Sequence, residues 1–139
     1  MRILVVDDEP MARRFFKAAM EEYGDIQLAN DGEEAIEYVK EKLRNKENYD
    51  VIFLDIRMPR VDGHEALRNI RKLENDQPAN QTWRSKIVMI TSYSSKKAMT
   101  QSFEDGCEYY LTKPIFPREL DEIMRVIRQE KEMTLQNPA

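Results

Sequence analysis

A chain of 139 residues with a net charge of −4 is long enough to bury one hydrophobic core without a metal or disulfide staple. Charged residues make up 35% of it, with both signs plentiful, so neither a nucleic-acid partner nor membrane insertion is expected. The single cysteine, Cys107, and single histidine, His64, exclude a disulfide framework and a Cys/His zinc site within the chain, and suit a reducing, cytoplasmic setting.

The first apolar run, Ile3 to Val6, is too short for a signal-peptide core or a membrane span and reads as a strand buried on both faces. It delivers Asp7 and Asp8 at its end. Pro10 then suits the first turn of a helix whose inward face is expected to carry Met11, Phe15, Ala18 and Ala19. A weaker strand candidate, Ile26 to Ala29, precedes an Asp31-Gly32 turn and a second helix facing inward through Ile36, Val39 and Leu43.

Val51 to Leu54 reads as another buried strand, ending in Asp55, and Leu67, Ile70 and Leu73 define the third helix. Glu74 to Ser85 is polar, carries Pro78 and lacks periodicity, which predicts a long exposed loop with Trp83 against the domain edge. Ile87 to Ile90 forms the next strand and ends in Thr91. Ser94 or Ser95 can cap a fourth helix with Ala98, Met99 and Phe103 on its apolar face, and Gly106 can close it. Tyr109 to Leu111 is the last strand and leads to Lys113. Pro117 opens a fifth helix, with Leu120, Ile123, Met124 and Ile127 facing inward. One domain over residues 1–130 and a polar C-terminal tail over 131–139 are expected.

Strands alternating with helices imply a parallel sheet with right-handed crossovers, hence an α/β three-layer sandwich with helices on both faces. Alternation alone leaves the strand order open. In such sheets ligands bind beyond the carboxyl ends of the strands. Asp7, Asp8, Asp55, Thr91 and Lys113 all stand at those ends. Two carboxylates about 4 Å apart repel by roughly 4 kcal/mol at an effective dielectric near 20, so a cation is required among them. A cluster of hard oxygen ligands without His or Cys suits Mg²⁺, beside which a carboxylate can attack phosphorus.

With "VVDDEP", "VIFLDIRMPRVDG", "MITSY" and "EYYLTKPI" in order from residue 5 to residue 115, the chain resembles the receiver domains of bacterial two-component response regulators. In size it is similar to the single-domain chemotaxis type. The resemblance implies a doubly wound, flavodoxin-like sheet of order 2-1-3-4-5. It implies Asp55 as the phosphoacceptor, with Mg²⁺ held by Asp7, Asp8, Asp55 and the backbone carbonyl of Arg57, Asp7 acting through water. Thr91 would contact the phosphoryl group, Lys113 would pair with it, and the Lys113–Pro114 bond would be cis. Tyr110 matches the switch aromatic that fills the space Thr91 vacates, which implies a partner face on the fourth helix, fifth strand and fifth helix.

Arg57, Ser92 and Tyr93 depart from the commonest family pattern, and Arg57 and Tyr93 flank the path of the water that would attack a phosphoaspartate, so they are expected to tune dephosphorylation. The implied protein is a stand-alone phosphoacceptor, served by a histidine kinase or phosphotransfer protein, that catalyses its own phosphorylation and dephosphorylation. It is expected as a monomer or a weak, phosphorylation-dependent dimer, signalling through protein contact or onward phosphotransfer. Rival readings are a phosphorylation-independent interaction module and an aspartyl-nucleophile phosphatase of the haloacid dehalogenase class. The latter wants a second Asp two residues after the first, where this chain has Glu9 and Arg57. No glycine-rich phosphate loop occurs. His64 reads as a surface helix residue and Cys107 as an inert small residue near a strand start.

Overall fold

Five short apolar runs form one parallel sheet: β1 (Arg2–Val6), β2 (Asp25–Ala29), β3 (Val51–Asp55), β4 (Lys86–Thr91) and β5 (Tyr109–Thr112), in the order β2-β1-β3-β4-β5. The computed structural model describes residues 1–77, 83–93 and 95–136 of the chain. The helices between the strands are α1 (Pro10–Met20), α2 (Gly32–Arg44), α3 (Gly63–Asp76), α4 (Lys96–Glu104) and α5 (Pro117–Gln136), with a short 3₁₀ turn at Glu21–Tyr23. This is the doubly wound, flavodoxin-like sandwich.

Helical crossovers cover both faces of the sheet, so the central strands are apolar without alternation. Leu4, Val6, Ile52, Leu54, Ile87 and Met89 point to one side, where Val39, Leu43, Leu67 and Ile70 meet them. Ile3, Val5, Val51, Phe53, Val88 and Ile90 point to the other, against Phe16, Met20, Leu120, Met124 and Ile127. β2 lies at the edge and is covered only in part, which explains its faint signal in the sequence.

Two helices turn differently from their expected faces. In α1 the buried residues are Phe16 and Met20, whereas Met11 is 73% exposed and Ala18 is exposed too. Phe15 and Phe16 are both apolar, so spacing cannot choose between them; the sheet does, because the Phe16 ring lies 5.4 Å from that of Phe53. In α4 Met99 and Phe103 are exposed, and the fully buried residue is Ser102, whose Oγ donates to the Ala98 carbonyl at 3.0 Å. A hydroxyl satisfied inside its own helix is small enough to let the helix approach the sheet closely.

Ser95 caps α4 by accepting the Ala98 N–H at 3.0 Å; Ser94 lies outside the described residues. Gly106 ends the helix at φ +109°, with its N–H on the Phe103 carbonyl and the Cys107 N–H on that of Ser102. Cys107 is buried, and burial pushes its thiol up to about 12. His64 is half-buried rather than on the surface, with its Nδ1 4.0 Å from Asp105 Oδ2.

The expected loop over Glu74 to Ser85 is corrected at both ends. α3 continues to Asp76, and Glu74, Trp83 and Ser85 are buried; residues 78–82 lie outside the described residues. The expected tail over 131–139 is helical as far as Gln136, and residues 137–139 are not among those described. Glu130 pairs with Lys86 and accepts the Tyr109 hydroxyl, and Lys131 pairs with Asp50, so the last turns of α5 are tied to the sheet.

Glu74 is buried because Arg71 is buried beside it. The Arg71 guanidinium donates to Glu74 Oε1 at 2.6 Å, the Ser85 carbonyl at 2.8 Å, the Gly106 carbonyl at 2.9 Å and Glu108 Oε2 at 2.8 Å. It thereby joins α3 to the starts of β4 and β5. Arg71→Met removes this cation while leaving the carboxylates of Glu74 and Glu108 in place, a loss worth about 3–5 kcal/mol in buried pairs. Urea denaturation is expected to show a destabilisation of that order, and a change below about 1 kcal/mol would contradict the role assigned to Arg71.

Candidate metal centre

The register of β1 on β3 sets Val6 against Leu54, so the next residues along, Asp7 and Asp55, emerge side by side. Asp8 follows, and one carboxylate oxygen from each of Asp7, Asp8 and Asp55 falls within 4.8 Å of the others. Asp7 is 1% exposed and Asp55 5%, while Asp8 faces solvent. Gly63 begins α3 directly over the end of β3: a Cβ there would lie 2.4 Å from the Asp55 carbonyl oxygen, so only glycine permits this approach.

Lys113 reaches the cluster from the end of β5. Its N–H donates to the Thr91 carbonyl at 2.7 Å, and the following bond to Pro114 is cis. Its ammonium lies 3.1 Å from Asp7 Oδ2 and 3.7 Å from Asp55 Oδ2. Burial disfavours the Lys113 charge, but Asp55 and Asp7 outweigh burial and raise its pKa. For Asp55 the balance runs the other way. Burial first, then the charges of Asp7 and Asp8, push its carboxyl up to about 6 from 3.8, against the opposing pull of Lys113 and the Arg57 backbone N–H. One ammonium does not neutralise three carboxylates, and the donor set is all hard oxygen, so the residues present fit Mg²⁺.

Not every predicted site residue converges on this cluster. Thr91 is buried at the end of β4, but its hydroxyl donates to the Tyr93 carbonyl at 2.9 Å and accepts the Tyr93 N–H at 3.1 Å. Tyr110 pairs with Met89 on the neighbouring strand, on the same face of the sheet as Thr91. Its ring is half-buried 6.5 Å from that of Phe103, and its hydroxyl is buried without a partner among the described residues.

Arg57 and Tyr93 meet across the mouth of the site, with the Arg57 guanidinium carbon 5.5 Å from the ring centroid and Tyr93 64% exposed. Each was identifiable alone in the sequence; their pairing was not, because it depends on two loops folding toward each other. Arg13 was missed altogether. Its guanidinium donates to the Asp7 carbonyl at 2.7 Å, and the available signal was a cation in the first turn of a helix, where the backbone dipole disfavours it.

Residues 3–125 match the response regulator receiver domain, and the chain belongs to that family. It is 37% identical over 126 residues to the transcriptional regulatory protein ResD of Bacillus subtilis, covering 90% of this chain and 46% of that protein. It is 33% identical over 124 residues to hybrid signal transduction histidine kinase I of Dictyostelium discoideum, covering 88% of this chain and 7% of that protein. The chain spans less than half the length of these curated relatives. Among solved structures, the receiver domain of the histidine kinase CKI1 from Arabidopsis thaliana, complexed with Mg²⁺ and BeF₃⁻, is similar at a TM-score of 0.77 and 27% identity, covering 94% of this chain and 89% of that one.

Asp55 generates a pH dependence whose sign follows from its raised pKa. Between 3.8 and about 6 the folded chain holds a proton on Asp55 that the unfolded chain releases, so this group adds stability as pH falls through that window. In metal-free protein, Asp55→Asn is expected to raise the melting temperature more at about pH 7.5 than at about pH 5. An equal shift at both pH values, read by circular dichroism, would contradict the assignment.

Proposed function

We propose that the chain accepts a phosphoryl group on Asp55 from the phosphohistidine of a histidine kinase or a histidine phosphotransfer protein. One Asp55 oxygen forms a bond to phosphorus as the phosphorus–nitrogen bond breaks, and the imidazole leaves with the electron pair. The observation that carries this reading is the convergence of Asp7, Asp8 and Asp55 within 4.8 Å, with Lys113 against two of them.

Asp7, Asp8, Asp55 and the Arg57 carbonyl would hold Mg²⁺. Asp7 would act through water, since its two oxygens already accept the Glu9 N–H and the Lys113 ammonium. Bound there, Mg²⁺ neutralises charge on the phosphoryl oxygens. The Mg²⁺ and BeF₃⁻ complex of the similar CKI1 receiver domain supports both the metal and the phosphoryl site.

A phosphoryl group adds about −1.5 to −2 charges and three acceptor oxygens, which favours conformers in which Thr91 leaves the Tyr93 backbone to donate to it and Lys113 pairs with it. The space Thr91 vacates would admit more of the Tyr110 ring and rearrange the α4–β5–α5 surface, our proposed face for a downstream protein. Apolar Met99 and Phe103, exposed on α4, support that use. The Arg57–Tyr93 pair would slow the water that hydrolyses phosphoaspartate, so that the chain catalyses both its own phosphorylation and a slow dephosphorylation.

We place its action in the cytoplasm, as a monomer or weak phosphorylation-dependent dimer without nucleic-acid contact. Among the described residues no helix is long and apolar enough to cross a membrane.

Intact-mass spectrometry after incubation with acetyl phosphate and Mg²⁺ tests the reading. The wild-type chain is expected to gain one phosphoryl group, and Asp55→Asn or chelation of the metal to prevent it. An undiminished adduct in Asp55→Asn would refute the phosphoacceptor assignment. Absence of an adduct from both acetyl phosphate and a phosphorylated kinase would favour a phosphorylation-independent interaction module.

A further inference from the structure

Arg13 lies in the first turn of α1, where its own N–H donates to the Glu9 carbonyl at 3.1 Å. A cation is disfavoured there by the backbone dipole. Its side chain leans toward the helix N-terminus, as helical side chains do, and crosses the β1–α1 turn to the Asp7 carbonyl. Among the described residues Arg13 forms no ion pair, although three carboxylates are nearby in the fold. Its partner is a backbone oxygen.

That oxygen belongs to the peptide plane joining Asp7 to Asp8, and the plane is rigid, so a bond to the carbonyl orients both residues at once. Asp7 is pinned at every polar group: its N–H on the Ala29 carbonyl at 3.2 Å, its carbonyl on Arg13 at 2.7 Å, and its carboxylate on the Glu9 N–H at 2.9 Å and Lys113 at 3.1 Å. Asp8 is exposed, and its direction depends on the plane that precedes it.

We propose that Arg13 is a positioning residue of the acidic cluster, fixing the Asp7–Asp8 peptide plane so that the Asp8 carboxylate faces Asp55. This inference rests on the metal site proposed above. Groups that orient metal ligands without touching the metal typically change affinity by 10- to 100-fold when removed.

The test is isothermal titration of metal-free protein with Mg²⁺, using Arg13→Met, which keeps an apolar stem without the donor, and Arg13→Lys, which restores one. Arg13→Met is expected to weaken Mg²⁺ binding roughly tenfold, and Arg13→Lys to recover most of the loss. In the metal-free proteins the Asp8 and Glu9 amide resonances should shift in Arg13→Met and return toward wild type in Arg13→Lys. Unchanged Mg²⁺ affinity in Arg13→Met overturns the proposal, even if that variant melts earlier, and so does weakened affinity without movement of those amides. If the wild-type chain itself gives no heat with Mg²⁺, the metal site fails and this inference with it.

Discussion

Mutual repulsion of three carboxylates governs this molecule. Strands β1 and β3 are neighbours in register, Asp7 and Asp8 follow the one and Asp55 ends the other, so folding brings one carboxylate oxygen of each within 4.8 Å of the others. At an effective dielectric near 20 each close pair costs several kcal/mol, a sizeable share of the stability of a domain this size. The surroundings mitigate the repulsion without cancelling it. Lys113 supplies one charge and the Arg57 N–H one hydrogen bond, yet burial first, with the charges of Asp7 and Asp8 added to it, keeps the Asp55 carboxyl raised to about 6. The unbalanced charge is what suits the rim to the divalent cation, and to the accompanying phosphoryl group, that we propose for it.

The opposite end of the sheet is arranged on different terms. There the Arg71 cation is enclosed by Glu74, Glu108 and two backbone carbonyls, and Lys86, Glu130, Lys131 and Asp50 tie α5 to the strand starts. Each of these carboxylates has a cation beside it, Arg71 serving two of them. One sheet thus carries an end whose carboxylates are paired and one whose carboxylates crowd together, linked by central strands β1, β3 and β4 whose side chains are mostly buried on both faces. At the rim, among the described residues, the Thr91 hydroxyl is held only by the backbone of exposed Tyr93 and the Tyr110 hydroxyl has no partner.

Much of this was legible in the sequence because four of the five strands, β1, β3, β4 and β5, are apolar without alternation and lead to a chemically marked residue. Burial on both faces removes the period-two signal but leaves a short unbroken run, and the residue after the run falls on the rim. Strand order came only from family resemblance, since alternation permits several. The misreadings share one cause, which is that tertiary partners decide burial where local pattern is ambiguous. Phe16 was chosen over Phe15 by Phe53, and Ser102 sits inside α4 because its hydroxyl is satisfied within the helix. Glu74 reads as a loop residue until Arg71 is beside it. The reach of Arg13 to a backbone carbonyl leaves no sequence signature beyond an awkward charge.

The acidic rim is proposed as a single divalent-cation site. Anomalous X-ray scattering from crystals soaked in Mn²⁺, used as a stand-in for Mg²⁺, tests it most directly. One strong peak is expected among the carboxylates of Asp7, Asp8 and Asp55, absent when Asp8 and Asp55 are both changed to Asn. An empty rim in well-soaked crystals, or an undiminished peak in the doubly substituted protein, would contradict it.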